Sequence, residues 1–124
     1  MDGHRRAEIG TAAEVAAADY LTGLGFDIVA LDVRLPSGQV DVVALDRGCL
    51  VIVEVKARSS AAFGLPAEAV DWRKRRRLRR LAAEYRAIHL AGTRAFRVDV
   101  VAVDLDRAGR PSAFRHIPAI DLDF

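Results

Sequence analysis

The stretch from Gly38 to Lys56 constrains this chain more than any other. It reads Gly-Gln-Val-Asp-Val-Val-Ala-Leu-Asp-Arg-Gly-Cys-Leu-Val-Ile-Val-Glu-Val-Lys, two apolar, β-branched runs either side of Asp46-Arg47-Gly48. Such a turn signal between such runs predicts a β-hairpin. With Arg47 and Gly48 as the loop and Asp46 facing Cys49, paired positions add up to 95, so Asp41 stands opposite Glu54 and Gln39 opposite Lys56. A four-residue loop on the same centre keeps these pairs; a three-residue loop breaks them. Because side chains alternate faces along a strand, Gln39, Asp41, Glu54 and Lys56 are expected on one face. Like charges directly opposed are destabilising, so two carboxylates there call for something positive between them. A divalent cation held by hard oxygen donors is one answer, with the Lys56 ammonium beside it. The plainer reading is a half-solvated strand. Against it, both faces of these runs are largely apolar, which predicts a central, covered sheet.

At 124 residues the chain is expected to form a single domain, 1–124, able to bury a core without disulfides. It contains no apolar run of membrane-spanning length, and Met1-Asp2-Gly3-His4-Arg5-Arg6 lacks the apolar stretch of a signal peptide, so a cytoplasmic location is expected. The lone Cys49 excludes an internal disulfide and a cysteine-cluster metal site, and reads as a buried thiol. Net charge is only +2, yet Arg73, Lys74, Arg75, Arg76, Arg77, Arg79 and Arg80 crowd together in a patch suited to phosphates. A solvated helix face is the alternative. Of the 19 basic residues all but Lys56 and Lys74 are arginine, so the compact ammonium is reserved for two positions.

Helical spacing of Ile9, Ala13, Ala16, Ala17, Tyr20, Leu21 and Leu24 predicts a first helix over Arg6 to Leu24, stopped by Gly25. Glu14 borders its apolar stripe, either as an ordinary flanking residue or reaching over the sheet toward the acidic pair. Phe26 to Leu35 reads as a strand, Pro36-Ser37-Gly38 as the turn into the hairpin, and Ser59 to Pro66 as a loop. A second helix is expected over roughly Ala67 to Ala91. It carries Val70, Lys74, Leu78, Leu81, Ala82, Tyr85 and Ile88 on one stripe, with most arginines pointing elsewhere. Lys74 is the charged residue in line with that stripe and can snorkel toward the acidic end of the sheet. A strand over Phe96 to Leu105, a turn at Asp106 to Pro111 and a short strand near Ala113 to Ile117 complete the order α-β-β-β-α-β-β, an α/β fold with helices packed on a sheet. Asp99 repeats the carboxylate among valines, as a packing or capping residue or a chemical one. His4, His89 and His116 have no ligand spacing and read as structural or surface residues, and Trp72 as a packing residue.

The residues that carry these features resemble a known family. They are Glu14, Gly38-Gln39-Val40-Asp41, Val53-Glu54-Val55-Lys56-Ala57-Arg58, Gly64-x-Pro66-x-Glu68-Ala69-Val70, Lys74 and Arg97-Val98-Asp99-Val100-Val101. In this order, over about Arg6 to Asp104, they look like the YraN family of the PD-(D/E)xK nuclease superfamily, similar to archaeal Holliday junction resolvases. The resemblance implies a restriction-endonuclease-like core, a mixed central sheet flanked by helices. It implies a metal-dependent DNA endonuclease, with branched or single-stranded DNA in repair or recombination as candidate substrates. Asp41 and Glu54, with the carbonyl of Val55, would hold Mg²⁺ or Mn²⁺, and Glu14 would add a further acidic ligand, directly or through water. Lys56 would position the attacking water and offset developing charge; Lys74 would support the site or contact a phosphate. Arg73, Arg75, Arg76, Arg77, Arg79 and Arg80 would take the nucleic acid. Where this chain has Gln39 the family usually has Glu, so one charge beside the site is missing. A catalytically weak or inactive nucleic-acid-binding module is therefore the competing reading, and a basic protein assembling with RNA is a third, without the stacking aromatics RNA recognition uses. Nucleic acid, DNA first, is the expected partner, no membrane is involved, and a homodimer is compatible with the chain.

Overall fold

The computed structural model describes the backbone of residues 2–59, 72–89 and 95–118 and, within these, the side chains other than those of residues 2–11, 72, 73 and 75. Seven elements follow in the expected order: α1 (Asp2–Gly23), β1 (Asp27–Leu35), β2 (Gly38–Asp46), β3 (Cys49–Ser59), α2 (Trp72–Ile88), β4 (Phe96–Leu105) and β5 (Pro111–Ile117). Among the described residues, no helix is long and apolar enough to cross a membrane.

Local chemistry fixes the connections. At the end of α1 the Phe26 N–H donates to the Leu21 carbonyl and the Gly25 N–H to that of Thr22. This is a Schellman cap, and it needs the left-handed backbone that Gly25 adopts at φ 100°. Arg47 and Gly48 both have positive φ, 52° and 84°, as a two-residue hairpin turn requires. Asp46 accordingly faces Cys49 and the β2–β3 ladder runs to Val42↔Val53, the predicted register.

The five strands lie in chain order, β1-β2-β3-β4-β5, and form a mixed sheet. β3 and β4 pair in parallel across the α2 crossover, while the other pairs are antiparallel. Each helix covers one face. Leu78, Leu81, Ala82 and Tyr85 of α2 pack on Val40, Val43, Leu50, Ile52, Val98 and Val100. Ala17 and Leu21 of α1, with Phe26, pack on Val42, Ala44, Val51, Val53, Val101 and Val103. The central strands are thus apolar on both faces because both are covered, as parallel pairing demands.

The boundaries differ modestly from expectation. α1 spans Asp2–Gly23, β3 runs on through Ser59, and β5 begins at Pro111, two residues early. The predicted second helix overlaps α2; its ends at 67–71 and 90–91, like the Gly64 to Val70 motif, the loop from 60 and the tail from 119, lie outside the described residues. Helix α2 is tied to the sheet at its far end, where Glu84 accepts hydrogen bonds from the Ser37 N–H and hydroxyl in the β1–β2 turn. Gly38 passes under Leu81 at that point.

Candidate active site

Asp41 and Glu54 lie where β2 and β3 part. Their ladder ends at Val42↔Val53, and beyond it the Val55 N–H donates to Asp41 Oδ2 at 2.8 Å rather than to a carbonyl of β2. A side chain has taken over a ladder bond, which fixes the Asp41 carboxyl at the fork. Glu54 comes from the middle of a covered strand and is only 7% exposed. Its carboxylate meets two ammonium groups: Lys74 Nζ of α2 at 2.6 Å and Lys56 Nζ of its own strand at 3.7 Å. Lys74 does snorkel to the acidic end of the sheet.

The electrostatics follow from this crowding. Burial, opposed by the bond from Val55 and reinforced by the charge of Glu54, a hydrogen bond with it and the more distant Glu14, pushes the Asp41 carboxyl up to about 7. Glu14 is itself raised, by burial and by Asp32. Burial and the neighbouring Lys74 lower Lys56. Burial works against Lys74 too, but its bond to Glu54 outweighs this and its pKa is raised. Two ammonium groups therefore share one carboxylate unequally, with Lys74 the fixed cation and Lys56 the one more ready to give up a proton.

The structure thus brings Asp41, Glu54, Lys56 and Lys74 together, with Val55 bonded to Asp41 and Glu14 within electrostatic range. Gln39 does not join them on the predicted face. Val40 and Val43 both pack under α2 while Val42 and Ala44 face α1, so the alternation breaks around Asp41, and the exposed Gln39 donates its amide to Asp32 on β1. Arg76, Arg77, Arg79 and Arg80 are exposed on α2, while Arg73 and Arg75 lie on the same helix with side chains outside the described residues.

Asp32 was not singled out from sequence. Leu31↔Val42 and Val33↔Val40 bracket it, which sets it across from Asp41, and its backbone is left-handed at φ 56°. Counting back from a two-residue Pro36-Ser37 turn would have reached it. A second buried cluster lies on the α1 face. There Asp99, fully buried, accepts from Arg97 at 2.9 Å and pairs with His116 at 2.8 Å, while Arg97 also bridges to Asp46 at 2.9 Å. Asp99 and His116 thus pair with each other, and His89 stacks on Tyr85.

The donors suit a small hard cation. Among the described residues no group of three or more His, Cys, Asp or Glu is poised to hold a metal. Mg²⁺ does not need one, because it keeps several waters and takes one or two carboxylates plus substrate phosphate. Asp41 and Glu54, with the Val55 carbonyl, fit that pattern, and a carboxyl raised first by burial and then by a neighbouring carboxylate is one that a cation would draw back to the ionised state.

Residues 13–103 match the model of the family described as Uncharacterised protein family UPF0102. The chain belongs to the UPF0102 family. This is the YraN group that the motifs resemble, and the matched span holds all of the candidate site. A UPF0102 protein of Moorella thermoacetica is 47% identical over 110 residues, covering 89% of each chain. One from Beutenbergia cavernae is 50% identical over 101 residues, 82% of this chain and 86% of the relative. One from Mycolicibacterium vanbaalenii is 43% identical over 115 residues, 93% and 94%.

Proposed function

We propose that this chain is a Mg²⁺- or Mn²⁺-dependent endonuclease acting on DNA. The observation that carries the reading is the fork itself, where a buried and a half-buried carboxylate on adjoining strands are met by two ammonium groups of different proton affinity. A divalent ion bound there would supply Lewis acidity toward a nonbridging phosphate oxygen and acidify a bound water. The chain's own groups do the rest. Asp41, oriented by the Val55 N–H, and Glu54 present oxygen donors, with Glu14 as a further acid acting directly or through water. Lys56 orients the attacking water and offsets charge that builds on the phosphoryl oxygens. Lys74 holds Glu54 in place and faces the phosphate, and the arginines of α2 take the flanking backbone. A cytoplasmic location, and branched or single-stranded DNA as substrate, go with this reading.

A second reading is a nucleic-acid-binding module without turnover. Two observations favour it: Lys74 Nζ sits 2.6 Å from Glu54, where a cation ligand would otherwise be needed, and Gln39 is engaged with Asp32. One experiment separates the two. Duplex, single strand, flap and four-way junction DNA are incubated with Mg²⁺ or Mn²⁺, beside an Asp41→Asn, Glu54→Gln control. Cleavage lost in the control supports the endonuclease; no cleavage with salt-sensitive binding intact supports the module.

A further inference from the structure

The arginines of α2 are not one patch. At about 100° per residue, Lys74, Leu78, Leu81, Ala82 and Tyr85 form the stripe that meets the sheet. Relative to Lys74, Arg77 then lies about 60° round one way and Arg79 about 140° round the other, with Arg76 and Arg80 on the arc between them. All four are exposed. Arg77 lies on the Lys74 side of the helix, close enough for its charge to act on Lys74. Arg76, Arg79, Arg80 and Ala83 instead line a groove of about 350 Å³ on the side turned away from the sheet. The helix has a single carboxylate, Glu84, and it is occupied by Ser37. By the same count Glu84 falls about 80° from Lys74 on the Arg77 side, so it belongs to the near flank.

This arc spans about 160° of a helix that, with its side chains, is about 10–12 Å across. A single backbone crossing the carboxylate site would touch the Arg77 flank and would have to wrap around the helix to reach Arg79. Two backbones bordering one groove would meet both flanks at once. The major groove of B-form DNA, about 12 Å wide and about 8.5 Å deep, admits a helix of this size, whereas the major groove of duplex RNA is too narrow for side chains to read.

The geometry points to duplex DNA as the partner of α2: Arg77 contacts the backbone that passes the Asp41 and Glu54 fork, Arg79 contacts the opposite backbone, and Arg76 and Arg80 point into the groove between. The inference rests on the endonuclease reading for what happens at the near flank, and it changes the substrate from a single strand to a duplex or a duplex arm of a branched structure.

The test is binding without metal, in EDTA, so that it stands apart from cleavage. Wild type, Arg77→Ala and the double variant Arg76→Ala, Arg79→Ala are titrated with a 20-base-pair DNA duplex, its single strand and the RNA duplex over a range of salt. Folding of each is checked by its melting temperature, and Arg76→Lys, Arg79→Lys keeps the charge. The double alanine variant is expected to lose about tenfold or more on duplex DNA, with the salt slope reduced by about one for the backbone contact of Arg79, and less than about twofold on single strand. Arg77→Ala should weaken both, and RNA duplex should bind less well than DNA. Equal losses on single and double strands would overturn the proposal in favour of one wrapped backbone. So would unchanged duplex affinity, or RNA duplex binding as tightly as DNA. If the binding pattern holds but wild type cuts nothing in Mg²⁺ or Mn²⁺, the endonuclease reading fails and the duplex surface stands.

Discussion

Lys74 Nζ lies 2.6 Å from Glu54 Oε2, so the second helix supplies the nearer of the two positive charges that meet this buried carboxylate. Removing one partner of a buried pair leaves the other charge stranded, at a cost of about 3–5 kcal/mol when nothing else compensates. Lys56 at 3.7 Å compensates in part. Lys74→Met should therefore destabilise the metal-free protein by about 2 kcal/mol in urea denaturation. Because the variant also clears a competing cation from Glu54, its Mn²⁺ affinity, followed by calorimetry, should rise while cleavage falls. Weaker Mn²⁺ binding would remove Glu54 from the ligand set.

Asp41 makes the metal-free protein pH-sensitive in a defined direction. Its folded pKa, about 7, exceeds the value near 3.8 of a free aspartate. Below about pH 4 both states carry the proton and Asp41 has no effect on stability. As pH rises from there the unfolded chain ionises first, so stability declines until about pH 7 and the full penalty stands above it. Asp41→Asn keeps an acceptor for the Val55 N–H and should be more stable than wild type at pH 8, by about 2 kcal/mol in EDTA, with no gain at pH 4. Saturating Mg²⁺ should stabilise wild type and leave the variant unmoved.

Lys56→Ala separates chemistry from assembly. Lys56 is half-buried and, among the described residues, its ion pair with Glu54 is a loose one at 3.7 Å, so its loss should cost less than about 1 kcal/mol in folding. Cleavage should drop by about 10²-fold or more, the scale set by removal of a single group that stabilises charge in a transition state. Mn²⁺ binding should persist; losing both together would make Lys56 structural.

How much of this was legible from residue order alone depended on whether local rules held. The hairpin register was readable because Arg47 and Gly48 are a two-residue turn, and Lys74 because it continues the apolar stripe of its helix. The face of Gln39 was not, because alternation assumes an unbroken ladder and here the Asp41 carboxylate takes the Val55 N–H. Asp99 looked like Asp41 in sequence, an acid among valines. Only the fold reveals that one is enclosed by Arg97 and His116 and the other stands open at a fork.

Gln39→Glu would place a carboxylate against Asp32, not beside Asp41. Two exposed acids in place of an amide–carboxylate bond should lower stability by about 0.5–1 kcal/mol at pH 7 and low salt, and the loss should vanish near pH 3 or in 1 M salt. Restored or increased Mg²⁺ affinity in this variant would mean that the side chain swings back to the fork when the cation binds.

The Asp99 cluster should behave as a keystone of stability with no part in turnover. Asp99→Ala leaves the Arg97 guanidinium with Asp46 alone, takes the carboxylate from His116 and should cost about 3 kcal/mol. At a temperature where the variant is still folded, its specific activity should match wild type.

The sheet keeps its strands in chain order, and the opposing charges of the site come from segments well separated along the polypeptide. Asp41 and Glu54 are delivered by one hairpin, whereas Lys74 arrives only when the crossover helix docks over it. Until then the hairpin must bring two carboxylates together with only Lys56 nearby, so closing that end is opposed by the very residues that define it. Docking of α2 relieves that opposition through Lys74, so the seating of the helix and the geometry of the fork are energetically linked, and whatever loosens the one loosens the other.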